Sequence, residues 1–136
     1  MGPLHGLRII EIEGLGPAPF AGMMFADMGA EVISVTRRSL ADGAQPQNSI
    51  SERGKKSIAL NLKDPRAVEA LLNLCETADA LIEGFRPGVA ERLGIAQLTF
   101  AQRVSVSGSD VTIERVTDYG FDTVTGSTPV VISVVE

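Results

Sequence analysis

The sequence predicts an α/β fold: a doubly wound, mostly parallel sheet followed by a β-rich C-terminal tail. Three observations carry that prediction. Short apolar runs rich in β-branched residues recur at 7–14, 30–36, 57–62 and 79–85. Helix-sized segments join them, as parallel neighbours require. After Gly94 the texture changes to short alternating runs, with five acids and two bases over 95–136 against twelve and ten before it. That shift divides the chain into a first region, 1–94, and a tail, 95–136.

"LRIIEIEG" (7–14) reads as the first strand, with Leu7, Ile9, Ile10 and Ile12 as its apolar residues. "GLGPAP" turns the chain. A helix over 18–28 follows, with Phe20, Met23, Met24 and Met28 near one face. Proline is tolerated in its first turn, and Gly29 is placed to end it. "AEVISVT" (30–36) is the second strand and residues 39–57 a polar loop. "SIALNL" (57–62) is the third strand. Asp64 then caps a helix that begins at Pro65, buries Val68, Leu71, Leu72 and Cys75, and runs to about Ala78. "DALIEGF" (79–85) is the fourth strand, and "RPGVAERLG" (86–94) a short helix closed by Gly94. In the tail, Val104 and Val106 alternate, then Val111 and Ile113, around an "SGSD" turn, which predicts a hairpin. "PVVISVVE" is a further β-like run.

Composition sets limits. A chain of 136 residues with 44% hydrophobic side chains is long enough to bury a core. The net charge of −5 argues against broad nucleic-acid binding, and only six aromatic residues argue against a base-stacking platform. No apolar run is long enough for a membrane span, and the N-terminus lacks the pattern of a signal peptide. The single Cys75 excludes an internal disulfide and a multi-cysteine metal site, so no metal is expected and a reducing, cytoplasmic setting is the simplest expectation.

Ligands of doubly wound sheets bind at the carboxyl ends of the strands. Here those ends carry Gly14–Pro17, Arg37 and Arg38, Leu62 and Lys63, and Phe85 and Arg86. Gly14 and Gly16 fit a dinucleotide fingerprint, but its third glycine is replaced by Pro19, which has no amide hydrogen. At the end of the second strand, where such folds carry an acid for the ribose, stand Arg37 and Arg38. A guanidinium there suits a phosphate or an adenine face. The spacing alone fits either a nucleotide-type site or a plain tight turn. "ERGKKS" (52–57) reads equally as a solvated loop or as cations, Arg53, Lys55 or Lys56, that reach a phosphate. Glu11 and Glu13 are expected to cap or pair at a sheet surface. Asp27 has Arg8 and Arg37 as possible partners. Asp110, Asp118 and Asp122 read as turn-forming acids. His5, the sole histidine, precedes the first strand and is expected at the surface.

Three ordered blocks, "LHGLRIIEIEGLGPAPFAGMMFADMGAEVISVTRR", "ERGKKSIALNLKDP" and "ADALIEGFRPGVAERLGI", resemble the start of the family III CoA-transferases, over about residues 4–95. The branch most similar is that of the α-methylacyl-CoA racemases. The resemblance implies a Rossmann-like domain that binds a coenzyme A thioester, as substrate and without a metal, in an interlocked homodimer. It implies that Arg38 lies at the adenine and ribose-phosphate end, and that Ala59, Asn61, Leu62 and Lys63 line the nucleotide. It places Gly84, Phe85 and Arg86 in a loop at the cofactor, Arg92 near the phosphates, and Gly16 and Pro17 in the turn beside it. In the family, the catalytic His and Asp of racemases and the nucleophilic Asp of transferases lie beyond the matched part. No catalytic residue is therefore assigned on this chain.

Three functions are expected from this reading. The first is the N-terminal part of an enzyme that exchanges the proton α to a thioester or transfers CoA. The second is a catalytically inactive CoA- or nucleotide-binding module. The third is a truncated chain that acts only through self-association of its β-rich end. An acyl-CoA small molecule and a homo-oligomeric partner are expected; nucleic acid is not.

Overall fold

The computed structural model describes residues 2–14, 16–37, 50–84, 94, 96–128 and 130–134. They fall into two compact units, Met1–Phe85 and Arg86–Glu136.

The first unit is built on four strands: β1 (Arg8–Ile12), β2 (Glu31–Thr36), β3 (Lys56–Ala59) and β4 (Ala80–Glu83). All neighbours are parallel, in the order β3-β2-β1-β4. Helix α1 (Pro17–Asp27) joins β1 to β2, and helix α2 (Pro65–Cys75) joins β3 to β4. The first crossover moves along the sheet one way and the second moves back, so right-handed connections place the two helices on opposite faces. This is the doubly wound α/β architecture the sequence predicts.

The register explains which side chains are buried. Ile9, Val32 and Ala30 form a core with Phe25 and Ala26 of α1. Ile10, Ile12 and Val35 are also buried, and strand alternation turns them to the other face, where α2 presents the fully buried Leu71. A strand buried on both faces reads as a continuous apolar run, which is why "RIIEI" was legible.

Local signals set the helix ends. Gly29 adopts φ 97° while its amide bonds to Ala26 O and that of Ala30 bonds to Phe25 O, closing α1 as a left-handed C-terminal turn. The Asp64 side chain accepts from the Arg66 amide at 3.0 Å, with Pro65 in the first turn of α2. The face that α1 buries shares Met23 with the expected one but otherwise differs from it. Ala18, Pro19, Gly22 and Met23 are inside, whereas Phe20 is 58% and Met24 45% exposed. Small residues win that face because the helix lies close over a buried polar pair on the sheet, described below.

The second unit contains β5 (Ala96–Ala101), β6 (Arg103–Ser107), β7 (Asp110–Thr117), β8 (Gly120–Ser127) and β9 (Val130–Val134). Strands β6, β7 and β8 form an antiparallel sheet, and β5 pairs with β9 in parallel. The first hairpin sets Val104 opposite Ile113 and Val106 opposite Val111, with Gly108 at φ 59° in its turn. Leu98, Ala101, Val111 and Ile113 form the core, flanked by Val124, Val130 and Ile132. The sequence reading placed no strand at β5 or β8. β8 has only Phe121 and Val124 as apolar residues, and β5 pairs with a strand distant in sequence. The expected short helix at 86–94 lies almost wholly outside the described residues.

Candidate functional site

Because the four strands of the first unit run parallel, their carboxyl ends share one edge. Glu13 and Gly14 follow β1 there, Arg37 follows β2, Leu60–Lys63 follow β3 and Gly84 follows β4. The ladder extends past the strands proper: Glu13 N donates to Val35 O and Leu60 N to Thr36 O, both at 2.9 Å. The strand order reverses between β1 and β4, so the crevice of this edge lies beside the turn that enters α1.

That turn is unusual for an anion site. Gly16 occupies the N-cap at φ 87°, in the left-handed region that favours glycine, and no side chain caps the helix. Pro17 and Pro19 stand at the first and third helical positions. Of the first three helical residues only Ala18 carries an amide hydrogen, so the helix end offers little of the N–H cradle that grips a diphosphate. Phosphates at this edge would have to be met by side-chain cations.

The segment after β3 is held by a local turn. Asn61 Oδ1 accepts from Lys63 N at 3.2 Å, and Asn61 O accepts from Asp64 N at 2.8 Å. Asn61 and Lys63 remain exposed, with Leu62 half-buried beneath them. At the neighbouring strand end, the Glu13 carboxylate accepts from Arg37 N at 3.0 Å, which fixes the chain as it leaves β2. Gly16, Pro17, Ala59, Asn61, Leu62, Lys63 and Gly84 thus all lie at or beside the carboxyl edge. Arg38, Phe85, Arg86 and Arg92 lie outside the described residues.

The "ERGKKS" cations are engaged elsewhere. Arg53 pairs with Asp27 near the C-terminal end of α1. Lys56 begins β3 and pairs with Glu31 at 2.5 Å, at the amino edge of the sheet. The Lys55 side chain is 1% exposed and donates to Glu11 Oε1 at 2.8 Å and to Pro19 O at 3.0 Å. The phosphate-reaching reading of this loop is therefore replaced by three ion pairs. Asp27, for which Arg8 and Arg37 were the possible partners, takes Arg53.

Glu11 is the residue that sequence reasoning placed wrongly. It is fully buried under α1 instead of lying at a sheet surface. Its Oε2 lies 2.7 Å from Lys55 Nζ, and Ser34 Oγ, opposite Glu11 across β1 and β2, is buried with no hydrogen-bond partner among the described residues. Burial pushes the Glu11 carboxyl above its ordinary range, and the Lys55 ammonium only partly offsets it. The signal was present: an acid flanked by isoleucines in a strand buried on both faces must have an internal partner.

A cavity of ≈ 590 Å³ opens at the opposite, amino edge, lined in part by His5, Arg8, Glu31, Lys56 and Asp79. Its charges answer one another. Arg8 Nε meets Glu31 Oε2 at 2.5 Å, Arg8 Nη1 donates to Thr77 Oγ1 at 3.1 Å, and Arg8 N donates to Asp79 Oδ2 at 2.8 Å. His5 is exposed. Cys75 is half-buried on α2, and burial raises its thiol, which fits a packing residue. In the second unit, Asp110 accepts from Ser127 Oγ and Asp122 pairs with Arg115, so both serve the hairpins. No helix among the described residues is long and apolar enough to cross a membrane.

Comparison with known proteins identifies the family of this chain. The sequence profile of CoA-transferase family III matches residues 4–105. The chain is 44% identical over 99 residues to mouse "Alpha-methylacyl-CoA racemase", covering 73% of this chain and 25% of that protein. It is 38% identical over 106 residues to mouse "Succinyl-CoA:glutarate CoA-transferase", covering 70% of this chain and 24% of that one. Among solved structures, Rv3272 from Mycobacterium tuberculosis superimposes with a TM-score of 0.60 at 30% identity, over 74% of this chain and 34% of that one. The chain therefore spans between a quarter and a third of the length of these relatives.

Proposed function

Because the chain belongs to CoA-transferase family III, we propose that it is the N-terminal, CoA-thioester-binding part of a racemase-like or transferase-like protein. The parent activity is racemisation at the carbon α to the thioester or transfer of CoA. Residues 1–94 form the binding region and 95–136 a separate β-rich tail. The protein works as a homo-oligomer in a reducing, cytoplasmic setting.

The cofactor lies across the carboxyl edge. Gly16 and Pro17 flank it at the turn. Ala59, Asn61, Leu62 and Lys63 line the nucleotide, with Arg38 at its adenine and ribose-phosphate end. Gly84, Phe85 and Arg86 belong to a loop at the cofactor, and Arg92 meets the phosphates. One observation carries this reading: a parallel β3-β2-β1-β4 sheet brings the described members of that set to one edge, beside a helix start that two prolines strip of amide donors. Side-chain cations then have to balance the phosphate charge. Exchange of the α-proton needs a base and an acid on opposite faces of the carbon. Neither is assigned on this chain.

Calorimetric titration of the folded chain with acetyl-CoA tests the proposal. Saturable binding supports it; no heat and no thermal shift at millimolar ligand would end it. Deuterium uptake from heavy water into a 2-methylacyl-CoA then separates an exchanging enzyme from a binding module. A second reading, self-association through the tail, is favoured by one observation: Phe121 is 87% and Tyr119 101% exposed at the tip of the second hairpin. Light scattering tests it, and a stable monomer removes it.

A further inference from the structure

The buried Glu11–Lys55 pair shows no hydrogen bond or ion pair with the described residues assigned to the cofactor. We propose that it is a positioning device, in which Lys55 pins the first turn of α1 so that Gly16 and Pro17 are presented in one fixed geometry. The inference rests on the CoA reading of that turn but makes a separate structural claim.

The connections are specific. Lys55 Nζ donates to Pro19 O within the first turn of α1, at 3.0 Å, and to Glu11 Oε1 on the central strand β1, at 2.8 Å. Glu52 is a third, more distant partner at 3.6 Å. Gly16 supplies no side-chain cap, so this helix start lacks the usual local hydrogen bond to its first amides. The residue after Lys55 begins β3, whose far end carries Ala59 and leads to Asn61 and Lys63. One ammonium thus ties the turn at one side of the proposed cofactor to the strand that delivers the other side.

Energetics favour a positional over a stabilising role. A buried ion pair contributes little net stability compared with apolar residues of similar size, whereas removing one member leaves a stranded charge. Glu11 is driven toward its neutral form by the same burial. What the pair supplies instead is direction: a carbonyl acceptor and a carboxylate both converge on Nζ, which fixes one register of α1 over the sheet.

The test compares three full-length chains: the parent, Glu11→Leu/Lys55→Met, and Glu11→Gln. Amide hydrogen exchange over residues 16–24 and acetyl-CoA affinity are read for each. The apolar double variant should melt near the parent while exchange over 16–24 accelerates about ten-fold and the dissociation constant rises about ten-fold. Glu11→Gln keeps an acceptor for Nζ and should show about a three-fold change in each. Unchanged exchange over 16–24 in the folded variants overturns the proposal, as does faster exchange with unaltered affinity. If the double variant does not fold, Glu11→Gln decides by the same criteria. If the parent itself binds no CoA, the functional reading fails, and the exchange data alone judge whether the pair holds the turn.

Discussion

Gly22 of α1 lies directly against the Glu11 carboxylate of β1, so close that a β-carbon built on Gly22 would collide with Glu11 Oε2. Both residues are buried, and Glu11 is held from the other side by Lys55. The helix can approach the sheet here only because the residue facing the acid has no side chain. Gly22→Ala should therefore push the helix outward or displace the carboxylate from Lys55. The expected loss is about 1–3 kcal/mol, the range for overpacking a closed interior. Denaturant unfolding measures it, and a variant as stable as the parent would show that the helix has room to spare.

Gly29 makes a second backbone demand. Its φ of 97° lets the chain leave α1 and enter β2 with only three residues between them, the Gly29 and Ala30 amides returned to helix carbonyls. A β-carbon there is strained by conformation and also meets Gly2. Gly29→Ala should cost at least about 1 kcal/mol, read as a lower midpoint with unchanged slope in urea.

The pH response should carry the signature of Glu31, which bridges Arg8 and Lys56. Hydrogen bonds from Lys56 and then Arg8 hold its carboxyl below the ordinary value of 4.5. A lowered carboxyl contributes stability above that value and loses it as pH falls through the folded-state value. Glu31→Gln lacks the contribution at every pH. The stability gap between parent and variant should therefore be full near neutrality and narrow below about pH 4.5. Glu11 works in the opposite sense: burial raises its carboxyl, so its contribution is present below the ordinary value and is lost as pH climbs through the raised one. Glu11→Gln should then remove a fall in stability that the parent shows between the ordinary value and the raised one. Chemical denaturation at stepped pH tests both signs.

Much of this fold could be read in advance because its signals are local. The β-branched runs, the Asp64 cap, the Pro65 helix start and the Gly29 stop each sit within a few residues of the structure they specify. The hairpin at "SGSD" is local in the same way. What escaped reading depends on distant partners. Lys55 looks like one more cation in a basic loop until the sheet brings it under α1, 44 residues from Glu11 in sequence. The buried face of α1 was misjudged for the same reason, since helical spacing favours the large Phe20 and Met24. The close approach over Glu11 instead selects Ala18 and Gly22. Strand β5 pairs with β9 across most of the second unit, so its short run carried no signal alone.

The two edges of the first sheet give the sharpest functional contrast. Lys63 stands exposed just past the carboxyl end of β3, whereas Lys56 stands at the amino end of the same strand, neutralised by Glu31. The two differ in what surrounds them but are the same residue type, one beginning the strand and one following it. If the CoA thioester lies across the carboxyl edge, Lys63→Ala should raise its dissociation constant about three- to ten-fold, and the effect should shrink as salt screens the phosphate charge. Lys56→Ala should leave affinity within about two-fold, because its charge faces away and is already answered. Arg53→Ala, which breaks the exposed pair with Asp27, should likewise leave affinity unchanged. Parallel calorimetric titrations of the three variants settle the matter. Equal losses for Lys63 and Lys56 would mean that affinity follows net charge alone, and the carboxyl edge would no longer be the place where the cofactor sits.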